Sequence, residues 1–392
     1  MAVLTTDNVI ELLKAGKNVQ EIAKEYKITR QAVYYHLDKL NKKKKATESY
    51  PDKPKIDYNP TYNWRIYNDG LVKRGEIIFD FEQFKNWEKE LKLMNKNKAG
   101  APYIYPNSYI IFLLKIKSIF QIDYRTLQGI SNRLVVLIPY AKASADYTTV
   151  QKRFKELEVK LEVYREREEN QEIAGDSSGL KTSRRGEYRM NKYRAGVRKK
   201  YVKLHIAVNT KSNQVASCII TDETGRDNKQ MVALVEEASK YGKIIGAAFD
   251  KGYDSKENYW FLKQQGIKDA IKPRKTMELS KLKEEIEKIK LKINRWDAKN
   301  KSSIKLKKQL SRMEELEYYL KDPEGWKKEK NYGQRWKSEV RFSVLKRLFG
   351  EAVFSKAMKT IQNEVMMKVN MMNKFASITI KAKKDLNCIG FT

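Results

Sequence analysis

The amino-acid sequence predicts an α/β protein: a mixed sheet flanked by helices, preceded by a helix-turn-helix unit and interrupted by a helical hairpin. Past Ile173, short apolar runs separated by turns follow one another and are then interleaved with a helix, the order expected of a mixed sheet with helices packed on it. The first 40 or so residues repeat apolar positions at helical spacing in three short stretches. Between 279 and 320 apolar residues recur at alternating steps of three and four, with one polar break, the period of two helices packing on each other.

In the head, Thr6 or Asp7 caps an apolar run through Val9, Ile10, Leu12 and Leu13, which Gly16 ends; a second helix carries Val19, Ile22 and Ala23. Thr29 caps a third, with Ala32, Val33 and Leu37 inward and Arg30, Gln31, Tyr34, Tyr35 and His36 largely outward. The early residues of such a recognition helix enter the major groove, where Arg and Gln make bidentate contacts with guanine and adenine. Arg30 and Gln31, with Tyr34 beside them, are therefore the candidate DNA contacts. A protein-docking module is the alternative, and the basic run Lys42 to Lys45 favours nucleic acid. Residues 46–63 hold Pro51, Pro54 and Pro60 without a sustained period, as in an extended tether. The expected boundaries are thus 1–45 for the head and 46–63 for the linker.

Residues 64–170 read as a helical domain, with Phe81, Phe84, Trp87 and Leu91 at helical spacing and a further helix from Thr149 to Glu168. The catalytic core is expected over 171–275 and 321–380, with strands from Tyr201 to Val208, Val215 to Ile220 and Ile244 to Phe249, and a helix from Lys229 to Tyr241. Leu279, Leu282, Ile286, Ile289, Ile293 and Trp296, then Leu306, Leu310, Met313 and Leu320, place two antiparallel helices at 276–320. They read as an insertion in the core, with a dimer seam as the alternative.

Composition narrows the partner. Lys and Arg number 81 against 49 Asp and Glu, a formal charge of +32, which favours a polyanion through phosphate contacts and counterion release. Nucleic acid is the expectation; an anionic membrane surface is the alternative. The two cysteines, Cys218 and Cys388, are far apart, without zinc-site spacing or disulfide density, which fits a reducing compartment. Neither a signal peptide nor a membrane span is predicted, so the expected location is the cytoplasm, on the nucleoid. Two histidines in the whole chain argue against a histidine-based nuclease or zinc site.

Three carboxylates carry the expected chemistry. Asp176, in EIAGDSSGLK, follows a short apolar approach, where a strand end would present it to an open edge. Asp250 closes the apolar run of IIGAAFDKGYDS, and Gly252 is expected to turn the chain so that a bulky ligand can approach. Either aspartate alone could simply cap a turn. Glu339 lies in YGQRWKSEVRFSVLKRLFG. On one continuous helix, Tyr332, Arg335, Glu339 and Lys346 share a stripe, while Val340, Val344 and Leu348 face the sheet. A solvated face with an ordinary Arg335–Glu339 pair is the alternative. Two divalent metals need several carboxylates to hold them and can then activate a water or a 3′-hydroxyl while stabilising the leaving oxygen. Flanking cations would bind non-bridging phosphate oxygens.

These residues resemble a known family. Tyr332, two residues, Arg335, three residues, Glu339, six residues, Lys346 is similar to the Tyr-Arg-Glu-Lys signature of DDE transposases of prokaryotic insertion sequences. GDSSGLK resembles that family's first acidic motif and FDKGYDS its second. The resemblance covers about 171–350. It implies a ribonuclease-H-like core, two Mg2+ or Mn2+ ions held by Asp176, Asp250 and Glu339, cleavage at element ends and transfer of the freed 3′-hydroxyl into target DNA. It also implies that Tyr332, Arg335 and Lys346 contact the transposon end, and acting on two ends implies a homodimer on double-stranded DNA.

Between Lys181 and Lys203 stand ten Lys or Arg against one Glu, interleaved with Tyr188, Tyr193 and Tyr201. This reads as a DNA-tracking loop, with Arg184 and Arg185 as candidate phosphate contacts, or as a basic hairpin with internally packed aromatics. Asp227, in the turn Gly225 to Asp227, is a reserve ligand. A DNA-binding regulator with an inactive transposase fold, and a plain structure-selective nuclease, are the competing functional readings.

Overall fold

The computed structural model describes residues 8, 9, 12, 13, 15–26, 28–37, 64–138, 141, 143–164, 168–182, 201–299 and 301–388. The chain divides into two units, Met1–Trp64 and Arg65–Thr392.

In the first, helix α1 (Val19–Glu25) opens with a capping box: the Asn18 side chain accepts from the backbone of Gln20 and Glu21, and Glu21 accepts from the Asn18 N–H at 2.8 Å. Ile22 and Ala23 pack against Val9 and Val33. A second helical stretch covers 30–37, opened by the Thr29 hydroxyl accepting from the Ala32 N–H at 3.3 Å. Arg30, Gln31 and Tyr34 are exposed on it. The basic run 42–45 and the proline-containing tether lie outside the described residues.

The second unit begins with α2 (Trp64–Ile78), α3 (Trp87–Asn95), α4 (Asn107–Phe120), α5 (Tyr124–Leu137) and α6 (Tyr147–Glu156). Their core gathers Phe84, Trp87, Tyr109, Phe112, Leu113 and Phe154. Asp123 and Asp146 cap α5 and α6. The helix expected to reach Glu168 stops at Glu156. From Leu157 to Val163 apolar and charged residues alternate, a period of two that suits extended chain rather than helix. That chain borrows its hydrogen bonds from asparagines: Asn363 accepts from the Val159 N–H at 3.1 Å, and Asn370 from that of Glu162 at 2.9 Å.

The sheet holds β1 (Glu168–Lys181), β2 (Tyr201–Asn209), β3 (Val215–Thr221), β4 (Gly242–Phe249) and β5 (Lys268–Ile271), in the order β3-β2-β1-β4-β5. The first three are antiparallel; β1, β4 and β5 are parallel. Parallel neighbours need crossovers, supplied by α7 (Asp227–Ser239) and α8 (Lys256–Gln264). The four-residue β5 and helix α8 are additions to the elements read from the sequence. This is the ribonuclease-H-like mixed sheet that the resemblance implies.

After β5 come α9 (Leu279–Asp297) and α10 (Ile304–Lys321), joined by a core of Leu282, Ile286, Ile289, Ile293, Met313 and Leu316. Trp296, counted with the apolar repeat, is 39% exposed. Then follow α11 (Pro323–Glu329), a 3-10 turn at Tyr332–Arg335, α12 (Trp336–Phe349) and α13 (Met358–Cys388). Helices cover both faces of the sheet. Met231, Leu234 and Val235 of α7 pack on Ile173 and Ala207; Phe342, Phe349, Val365 and Val369 pack on Leu204 and Ile206. Such two-sided cover explains why β2 is almost wholly buried. Among the described residues no helix is long and apolar enough to cross a membrane.

Candidate active site

Parallel pairing of β1 and β4 sets Gly175 opposite Phe249, so the next residues, Asp176 and Asp250, leave the paired strands side by side. Asp176 is not at a strand end, as expected from the sequence: β1 continues to Lys181 and Asp176 pairs with Ile206 of β2. The open edge arises because β4 stops at Phe249. Gly175 is required there, since a Cβ would lie 1.9 Å from the fully buried Phe249 ring.

Glu339 stands in the first turn of α12. The 3-10 turn before that helix breaks the continuous helix expected from Tyr332 onward. Within α12 the most buried residues are Ser338, Phe342, Leu345 and Phe349; Val344 and Leu348 pack partly on the same core, while Val340 is 37% exposed. The large phenyl rings bury more apolar surface than the valines do. This phase places Glu339 at the margin of the packed face, toward the aspartates.

Arg335 links the group. It donates to Glu339 Oε1, lies 3.8 Å from Asp176 Oδ2, and sits 5.8 Å from the centre of the Tyr332 ring. Burial pushes the Asp176 carboxyl up to about 6; the Ser177 N–H, at 2.8 Å, and Arg335 oppose this, while Asp250 and Glu339 add to it. The Tyr332 hydroxyl is pushed up to about 12, chiefly by burial, with Asp250 adding to the shift. Asp176, Asp250, Glu339, Arg335 and Tyr332 are therefore one electrostatic neighbourhood. Lys346 stands beside Glu351 instead, whose carboxyl Lys181 first and Lys346 second hold below the usual range. Arg184 and Arg185 lie outside the described residues.

Three carboxylates suit a hard divalent cation; Asp176 is raised chiefly by its own burial, with Asp250 and Glu339 adding less. Among the described residues no three His, Cys, Asp or Glu are grouped closely enough to hold an ion as they stand; Arg335 holds Glu339 instead.

Near the aspartates lies a partly buried polar cluster that the sequence indicated only through Asp227. Asp227, on the first turn of α7, has Oδ1 2.8 Å from Lys203 Nζ and 3.4 Å from His205 Nδ1. Burial, the largest influence, pushes the fully buried His205 down to about 4, so the imidazole is neutral near pH 7. A Cβ on Gly252 would lie 3.4 Å from Asp227 Oδ2. Gly252, expected to admit a ligand, thus has Asp227 at ordinary contact distance on one side and borders the open groove beside Asp250 on the other. Tyr253 packs 4.8 Å from Phe249, and its hydroxyl is held un-ionised by burial first and then by Asp227 and Asp176.

Two family models match this chain, each described as a transposase DDE domain, over residues 72–185 and 168–373. The second covers more than half of the 392 residues and contains Asp176, Asp250 and Glu339. Transposases act on DNA, and a DDE domain implies dependence on a divalent metal. The chain belongs to the DDE transposase family.

Proposed function

We propose that this protein is an insertion-sequence transposase of the group with the Tyr-Arg-Glu-Lys signature, binding element ends, cutting them and joining the 3′-hydroxyl ends to target DNA. The observation that carries this reading is the convergence of Asp176, Asp250 and Glu339 where two parallel strands part. In this reading Asp176, Asp250 and Glu339 hold two Mg2+ or Mn2+ ions. Bound there, the metals would activate a water or 3′-hydroxyl and stabilise the leaving oxygen. Arg335 exchanges its bond to Glu339 for a non-bridging phosphate oxygen as DNA enters. Tyr332 packs beside that guanidinium, and Lys346 contacts the end farther along α12. The exposed Arg30, Gln31 and Tyr34 read the element end, Arg184 and Arg185 hold its phosphates, and two copies act together on the nucleoid in the cytoplasm.

The test uses labelled DNA from the edges of the protein's own gene with Mg2+ or Mn2+, beside Asp250→Ala. Discrete metal-dependent cuts, lost in the variant, are expected. Sequence-specific binding without cleavage in either metal would instead favour a regulator with an inactive fold.

Asp176 supplies a second expectation. Its folded-state value of about 6 lies above the ordinary 3.8, so the folded protein holds this proton more tightly than the unfolded chain. The stabilising contribution is fully present below about pH 3.8 and is lost as pH rises through about 6. At pH 7.5 without metal, Asp176→Asn should therefore raise stability by about 2 kcal/mol, allowing for its partial exposure. Mn2+ should raise the melting temperature of the natural protein and not of the variant. A variant less stable than its parent at that pH would refute this account of the carboxyl.

A further inference from the structure

We propose that a cationic groove beside Asp250 holds the phosphate backbone of the DNA strand next to the bond being cut, with the helical hairpin as its wall. The inference rests on the DNA-cleaving reading above and adds to it a site remote in sequence from Tyr332, Arg335 and Lys346. The groove, of about 600 Å³, is lined by Asp250, Lys251, the segment 272–275 that leaves β5, and Tyr319 and Leu320 of α10. Lys251, Lys272, Arg274 and Lys275 there face one carboxylate, that of Asp250 itself.

Among the described residues none of the four groove cations has an ion-pair partner, a property they share with other exposed lysines such as Lys281 and Lys292. What distinguishes this patch is that the segment carrying them is fixed. The Arg274 N–H donates to Asp254 Oδ2 at 2.8 Å and its Nε to the Lys251 carbonyl at 3.0 Å, while Arg312 Nη2 donates to the Arg274 carbonyl at 3.3 Å. Pro273 is buried between two of the cations.

The Arg274 Nη groups are thus aimed by their own backbone and Nε contacts and left available, among the described residues, for an anion. Fixed donors lose little entropy on binding and match phosphate oxygens geometrically. The breadth of the groove and its spread of four cations suit successive phosphates of a polynucleotide better than one small anion. Side-chain contacts with the backbone position DNA without reading its sequence, so the groove takes any sequence that the rest of the protein delivers.

The test is the salt dependence of binding to a short labelled DNA duplex, measured by fluorescence anisotropy on the full chain in EDTA. Arg274→Gln with Lys275→Gln should reduce the slope of log K against log salt by about 1.5 to 2, as expected for two lost phosphate contacts. Lys272→Gln with Lys275→Gln, which leaves the Arg274 tether intact, should do the same. Lys292→Gln, exposed on α9, should leave the slope unchanged. Natural slopes in both double variants would overturn the proposal, as would an equal loss at Lys292, which would show diffuse charge rather than a groove. Because EDTA prevents cleavage, an inactive protein with a groove-dependent slope would refute the transposase reading alone. Metal-dependent cutting with unchanged slopes would refute the groove alone.

Discussion

Glu339→Gln is expected to lower metal-dependent DNA cleavage by on the order of 10³ or more while leaving DNA binding near that of the natural protein. Glutamine preserves the length and shape of the side chain, and its amide oxygen can still accept from Arg335. It lacks the negative charge that would complete a three-carboxylate site with Asp176 and Asp250. The side chain is 52% exposed, so the fold does not depend on its ion pair with Arg335. A loss of cleavage therefore reports chemistry rather than unfolding. Cleavage and binding should be measured on the same labelled element-end DNA, with the melting temperature as the check on folding. Cleavage retained within tenfold of the natural rate would remove Glu339 from the catalytic group.

What the sequence made legible, and what it did not, follows from the range over which each signal acts. Asp250 stood out because eight residues of β4 deliver it from the core, and the hairpin because its apolar repeat is regular over two long helices. These are local patterns. The break before α12 was not legible, since a 3-10 turn of four residues shifts Tyr332 and Arg335 relative to Glu339 and Lys346. The end of α6 was misjudged because charged residues mask the two-residue period of 157–163. Strand β5, four residues long, is defined by pairing with β4 rather than by its own composition. The groove assembles Lys251, the 272–275 segment and Tyr319, which only the parallel crossover and the docked hairpin bring together. The approach of Asp227 to Gly252 was not legible either, because the two lie a crossover apart in sequence.

The docking of that hairpin gives the second large effect. Arg312 of α10 makes a two-pronged bond to Asp254, at 2.7 and 2.8 Å, and the Asp254 side chain is 1% exposed. Arg312→Ala would strand a buried carboxylate left, among the described residues, with the Arg274 N–H as donor, and is expected to cost about 3–5 kcal/mol in urea unfolding. Pairing Arg312→Met with Asp254→Asn removes the charge from both sides and should recover much of that loss, because the asparagine oxygen can still accept from Arg274. The fall should be greatest locally. Amide exchange in α9 and α10 should quicken before that of β1 and β2, since the hairpin keeps its own core but loses a tie to the sheet. A second tie, from Lys330 to Asp269 at 2.6 Å and Glu315 at 3.0 Å, limits the motion to loosening rather than release. As Arg312 also holds the Arg274 carbonyl, the same variant should flatten the salt dependence of DNA binding. A cost near 1 kcal/mol, as for an exposed pair, together with unchanged exchange in the hairpin, would mean that apolar contact alone docks α10 and that the Asp254 carboxylate finds water when Arg312 is gone.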